Sequence, residues 1–196
     1  MSAHESMEHA EHAQHASGEN KRIALLIAVI ALCLALSEML GKGAQTESIS
    51  ENVASANLWA FFQAKSVRLT TVKTAAETLQ VQADAVTDPA VKAAMAKRIE
   101  GWQKTAARYD DEPETGEGRK QLAERAKHAE HARDLAMAKY HHFEVASAAF
   151  QIAIVLASAT IITGMLALAW GAGLLMLAGI VFTAIGIFAP HAVHLL

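Results

Sequence analysis

IALLIAVIALCLALSEML, residues 23–40, carries a single charge, Glu38. An apolar run of about 18 residues is at the lower end of what crosses a hydrocarbon core roughly 30 Å thick. Glu38 then falls near the far interface, where an acid costs much less than at the centre of a bilayer. The residues before the run, 1–22, are acidic and rich in histidine, with so little apolar content that a disordered tail is expected. Lys21 and Arg22 could open a signal peptide, but a long polar tail precedes them and no small-x-small site closes the run. The reading is a retained anchor.

Downstream the pattern changes to that of a soluble helix. Ile49, Val53, Ala56, Ala60, Ala64 and Val67 recur at spacings of three and four among polar residues, which predicts a helix over about 44–86. Neither Pro nor Gly interrupts it, so it could reach roughly 60 Å at 1.5 Å per residue. That length calls for a stalk or a coiled-coil-like partner. Asp88-Pro89 is a strong helix start, and a second helix is expected over 89–108. The acidic run from Asp110 to Gly118 is a loop. A third helix, 118–144, carries Glu117, Lys120, Glu124, Lys127, Glu130 and Arg133 on a charged face. Leu122, Ala126, Ala129, Ala136 and Tyr140 form its mostly alanine opposite face.

Beyond Glu144 nearly everything is apolar, with Trp170-Gly171-Ala172-Gly173 as the apparent interruption. Two spans, 145–169 and 174–189, fit the length better than one span or a re-entrant pair, and residues 190–196 form a short C-terminal tail. Gly164, Gly179, Thr183 and Gly186 supply the small surfaces on which membrane helices pack. The expected fold is all-α: an integral membrane protein with three transmembrane helices and a long-helix extramembrane bundle, residues 41–144, between the first and second spans.

Composition narrows the function classes. Of 196 residues 53% are hydrophobic and the net charge is -3, with acids and bases interleaved and no basic face, so nucleic acid is not an expected partner. One cysteine, Cys33, permits neither an intrachain disulfide nor a thiolate metal cluster. No phosphate-cradling glycine loop, nucleophile elbow or paired-acid motif is present, so no enzymatic activity and no cofactor are expected.

Several residues stand out as candidates. His4, His9, His12 and His15, among glutamates, are sound zinc, nickel or copper ligands, set against the simpler reading of a solvated tail. Glu124, His128 and His131 share one helix face and could bind zinc, or belong to an ordinary charged surface. His141 and His142 precede a span and suit an interface. Glu38, the one acid within a span, is either an ion-handling group or an interfacial residue bonded to a neighbouring helix or to Ser37. The block Leu58-Trp59-Ala60-Phe61-Phe62 puts large groups on several faces of one helix. Burying each ring could contribute about 1.5–3 kcal/mol. Either other helices of the domain or a second subunit covers them, and the reading favours Trp59, Phe61 and Phe62, with Gly179 and Gly186 in the spans, as a subunit interface.

The run SEMLGKGAQTESISENVASANLWAFFQAKSVR, residues 37–68, resembles a bacterial membrane-protein family known as domain of unknown function 4337. The resemblance rests on Asn57 through Ser66, on the preceding span and on Phe150-Gln151-Ile152-Ala153-Ile154. It implies a three-span inner-membrane protein and transfers no catalytic residue. Relatives often carry basic residues in the turn between the second and third spans, which would place the N-terminus in the cytoplasm and residues 41–144 in the periplasm. The corresponding turn here has no charge.

The function these features predict is that of a non-enzymatic, self-associating structural or scaffolding protein whose partners are the lipid bilayer, further copies of itself and other membrane proteins. An oligomeric channel or transporter, and a metal-binding or metal-sensing protein using the histidine tail, are the alternatives.

Overall fold

The computed structural model describes residues 3–192, with side chains from residue 21 onward. Four helices follow in order, with no strand among the described residues: α1, Ala3–Ala85; α2, Pro89–Asp110; α3, Arg119–Thr163; and α4, Leu166–Phe188. Helices α1, α3 and α4 are each long and apolar enough to cross a membrane. The backbone of α1 begins inside the tail for which disorder is expected, because alanine, glutamate and glutamine carry little helix penalty and the apolar run behind them supplies the costly nucleus. Gly41 and Gly43 do not break it. The chain divides into two compact units, Met1–Ser48 with Asp134–Leu196, and Ile49–Arg133.

In the first unit α1 turns Ile23, Ile27, Ile30, Leu34, Ser37 and Gly41 away from the surroundings, spaced alternately four and three apart. That 3.5-residue period is the knobs-into-holes repeat of a left-handed supercoil. The core is Ile30 with Ala146, Phe150, Ala153 and Ala157 of α3 and Ala172 of α4. Ile30 packs with Phe150, Ala153 and Ala157, and Ser37, seven residues further along α1, meets Phe143, so α1 and α3 run antiparallel here.

The hairpin from α3 to α4 corrects the expected turn. It lies at Gly164-Met165, and Trp170 to Gly173 lie inside α4. Gly164 has φ +69°, a left-handed conformation that costs glycine little and other residues more. Its amide donates to the Thr160 carbonyl at 2.9 Å, closing the end of α3. Glycine ends a helix only where the backbone must turn left-handed. In Trp170 to Gly173 it serves close packing instead, with Ala172 buried and Gly171 beside Leu156.

The second unit packs α2 and the first part of α3 against α1. Asp88 Oδ1 accepts from the Ala90 amide at 2.8 Å with Pro89 at the first helical position, as the sequence predicts. The alanine face of α3 is buried as expected, with Leu122, Ala126 and Ala129 in this unit, and Ala136 is buried in the first. The buried stripe of α1, however, is not the apolar one that marks the helix in the sequence. Ile49, Val53, Ala56, Ala60, Ala64 and Val67 are all exposed, whereas Ser55, Lys65, Leu69, Ala76 and Ala83 are buried. Three of these five, Ser55, Ala76 and Ala83, are small and allow close approach of backbones, so shape as well as hydrophobicity selects the packed face.

Candidate functional site

The polar centre of the second unit is built around Lys65, which occupies the packed seam of α1 and is 5% exposed. Its Nζ lies 3.5 Å from Glu117 Oε2 and 3.6 Å from Glu112 Oε2. It also sits 5.4 Å from the ring centres of both Phe61 and Tyr109. Taking an ammonium out of water is costly, and two carboxylates with two π-faces replace its hydration.

The loop that carries Glu112 and Glu117 is held at both ends. Asp110 pairs with Arg119 at 3.4 Å, and Asp111 Oδ2 with Lys120 Nζ at 2.9 Å. Gln121 bridges, its Nε2 donating to Asp111 at 2.6 Å and its Oε1 accepting from the Glu112 amide at 3.1 Å. The hydrogen bonds from Gln121 and Lys120 hold the Asp111 carboxyl below its usual range, and the bond to Asp111 raises Lys120. A Cβ at Gly118 would strike both Gln121 Oε1 and the Glu112 amide, so only glycine fits there.

The aromatic block divides between two environments. Trp59 Nε1 donates to Glu130 Oε1 at 2.8 Å and packs edge-on against Phe62 at 5.4 Å. Arg119 lies 5.0 Å over the Phe62 ring. Trp59 and Phe62, expected at a subunit interface, are thus engaged by α3 of their own chain, while Phe61 remains 37% exposed.

Gly179 and Gly186 have close neighbours within the chain. A Cβ on Gly179 would lie 2.6 Å from the Phe150 ring, and one on Gly186 would lie 3.0 Å from that of Phe143. Both glycines are notches for phenylalanines of α3 in the same chain, because a hairpin in one chain finds its neighbour first.

Glu38 is exposed and accepts from Gln151 Nε2 at 3.4 Å, while Ser37 is buried and donates to the Phe143 carbonyl at 3.1 Å. Ser37 and Glu38 therefore serve separate partners on α3. A cavity of 480 Å³ beside them is lined by Gly41, Lys42, Gln45, Tyr140 and Glu144 among others. His142 is fully buried, its Nε2 3.0 Å from the Pro190 carbonyl and its ring stacked 6.3 Å from Phe182. A carbonyl only accepts, so this contact requires the hydrogen on Nε2. Nδ1 is buried without a hydrogen-bond partner among the described residues.

Metal-ligand candidates fare differently. Glu124, His128 and His131 are solvent-exposed, and no group of three or more His, Cys, Asp or Glu among the described residues could hold a metal ion. The side chains of His4, His9, His12 and His15 lie outside the described residues. Lys65 is the polar residue that the sequence reading overlooked, and the burial of His142 was not expected from it. Counting the alternate four and three spacing onward from Ile23 would have put Lys65 in a buried seam.

The family model described as Domain of unknown function (DUF4337) matches residues 19–189, which takes in the described spans, the Lys65 centre and the hairpin. The chain belongs to this family. No curated protein and no solved structure matches it. The family description names no activity, and within the Lys65 centre Lys65 pairs with Glu112 and Glu117, Arg108 of α2 with Glu112, and Arg119 with Asp110.

Proposed function

We propose that this chain is a non-enzymatic, self-associating structural protein of a bacterial inner membrane. α1, α3 and α4 each cross the bilayer once, and the second unit forms a helical bundle outside it. The N-terminus and the Gly164-Met165 turn lie in the cytoplasm, and residues 41–144 in the periplasm. The observation that carries the reading is the outer face of α1 in the second unit, where Val53, Phe61, Val67 and Val81 are exposed in the single chain. Apolar side chains aligned along one helix face mark a contact surface. Other membrane proteins could share it, and further copies of the chain are the simplest occupants.

Native mass measurement of the full-length protein in lipid tests the reading. A dimer or larger assembly is expected, and monomer alone over a wide range of protein-to-lipid ratios would overturn it. The channel alternative draws less support, because Ser37 and Thr160, polar groups within candidate spans, spend their hydroxyls on carbonyls of the same chain. The metal-binding alternative rests on the histidine tail and is tested by zinc, nickel and copper titration of the intact protein.

A further inference from the structure

In the second unit the face of α1 opposite its packed seam carries a seam of its own. Every seventh residue from Val53 is Val53, Ala60, Val67, Thr74 and Val81, and the set interleaved four residues later is Asn57, Ala64, Thr71 and Thr78. This is the d and a spacing of a coiled-coil heptad. None of these residues is charged, although Arg68, Lys73, Glu77 and Asp84 stand between them on the same helix. All are exposed, Val67 to 66% and Val81 to 72%.

Two of the three seam threonines, Thr71 and Thr78, are prepared for burial. Thr71 Oγ1 donates to the Val67 carbonyl at 2.9 Å and Thr78 Oγ1 to the Thr74 carbonyl at 2.8 Å. Covering them would leave no hydroxyl donor unsatisfied. Beside the seam runs a groove of 880 Å³ that Val67, Thr71, Thr74 and Thr78 line and Trp102 of α2 walls.

We propose that this seam pairs with the same seam of a second copy, as a parallel, in-register two-stranded coiled coil over residues 53–81 with Asn57 facing Asn57. An asparagine at an a position specifies two strands and register, because only a matching asparagine satisfies both amides. Parallel alignment rests on the membrane reading above: copies inserted with one topology present α1 in one direction at one depth. The flanks agree. Phe61 at an e position would lie against Ala56 at g of the second copy, which leaves room for a ring. In the first unit the same count puts Lys42 at g and Glu47 at e, five residues apart, the spacing at which opposite charges meet across a parallel pair.

The test uses the full-length protein with Cys33→Ala in liposomes. Val53→Cys, Val67→Cys and Thr74→Cys are compared with Asn52→Cys and Lys73→Cys, both exposed and off the seam. Under mild copper-catalysed oxidation the seam positions are expected to cross-link at least tenfold faster than the controls. Asn57→Asp is expected to weaken dimerisation at least tenfold at neutral pH, with helix content unchanged by circular dichroism. Equal cross-linking at seam and control positions in a protein whose native mass is oligomeric would overturn the seam and leave self-association standing. So would an undiminished dimer in Asn57→Asp. A monomeric native mass would overturn both.

Discussion

Gly179 and Gly173 lie six positions apart in α4 and behave as opposites. A side chain on Gly179 would run into the Phe150 ring, whereas a Cβ on Gly173 meets nothing within 4 Å. Gly179→Val should therefore destabilise the protein by about 1–3 kcal/mol through overpacking. Gly173→Ala should be neutral or slightly stabilising, since alanine is the better helix former. Unfolding of both variants in mixed micelles checks the contrast, and equal effects would refute the notch. Lys65 offers a second contrast. Lys65→Met keeps most of the packing volume but leaves Glu112 with Arg108 as its one cation, beside Glu117, and should cost about 1–3 kcal/mol, since Glu117 stays half in water. Lys65→Met combined with Glu112→Gln should recover part of the loss in thermal unfolding.

At the scale of elements, the turn between α3 and α4 and the loop between α2 and α3 are the informative joints. Gly164→Ala forces a Cβ into a left-handed conformation and should cost about 1 kcal/mol, whereas Gly171→Ala, inside α4, should cost less. If Gly171→Ala proved the more damaging, the turn would lie where the sequence first suggests it. The loop clasp predicts a pH response. Asp111 is held below its ordinary value of 3.8, so its contribution is present above that value and is lost as pH falls through the lowered one. Lys120 is raised above 10.5, so its contribution is present below that value and is lost as pH rises through the raised one. The clasp is thus intact throughout the neutral range. Asp111→Asn should flatten the acid limb of the melting temperature against pH while leaving the neutral plateau little changed, because both groups face solvent and salt screens them.

For the whole molecule, topology is the property to measure. With Cys33→Ala as background, a membrane-impermeant thiol reagent added to intact cells whose outer membrane has been permeabilised should label Gln80→Cys, and should label Met165→Cys only after the inner membrane is opened. The reverse pattern would invert the proposed orientation without disturbing the hairpin.

The all-helical character, the three apolar stretches, the Asp88-Pro89 helix start and the alanine face of α3 were legible in the sequence. Each depends on local composition or on periodicity within a single helix, and those are properties of neighbours along the chain. Which face of α1 is packed depended on the tertiary structure, because two stripes with nearly the same spacing compete and the one holding Ser55, Lys65, Leu69, Ala76 and Ala83 is the one buried. The position of the turn was decided the same way. Glycines in α4 and the glycine after α3 look alike in sequence, and only Gly164 is asked to turn left-handed. The burial of Lys65 and His142 lay furthest from view, since their partners Glu112, Glu117 and Pro190 are distant along the chain and only folding brings them near.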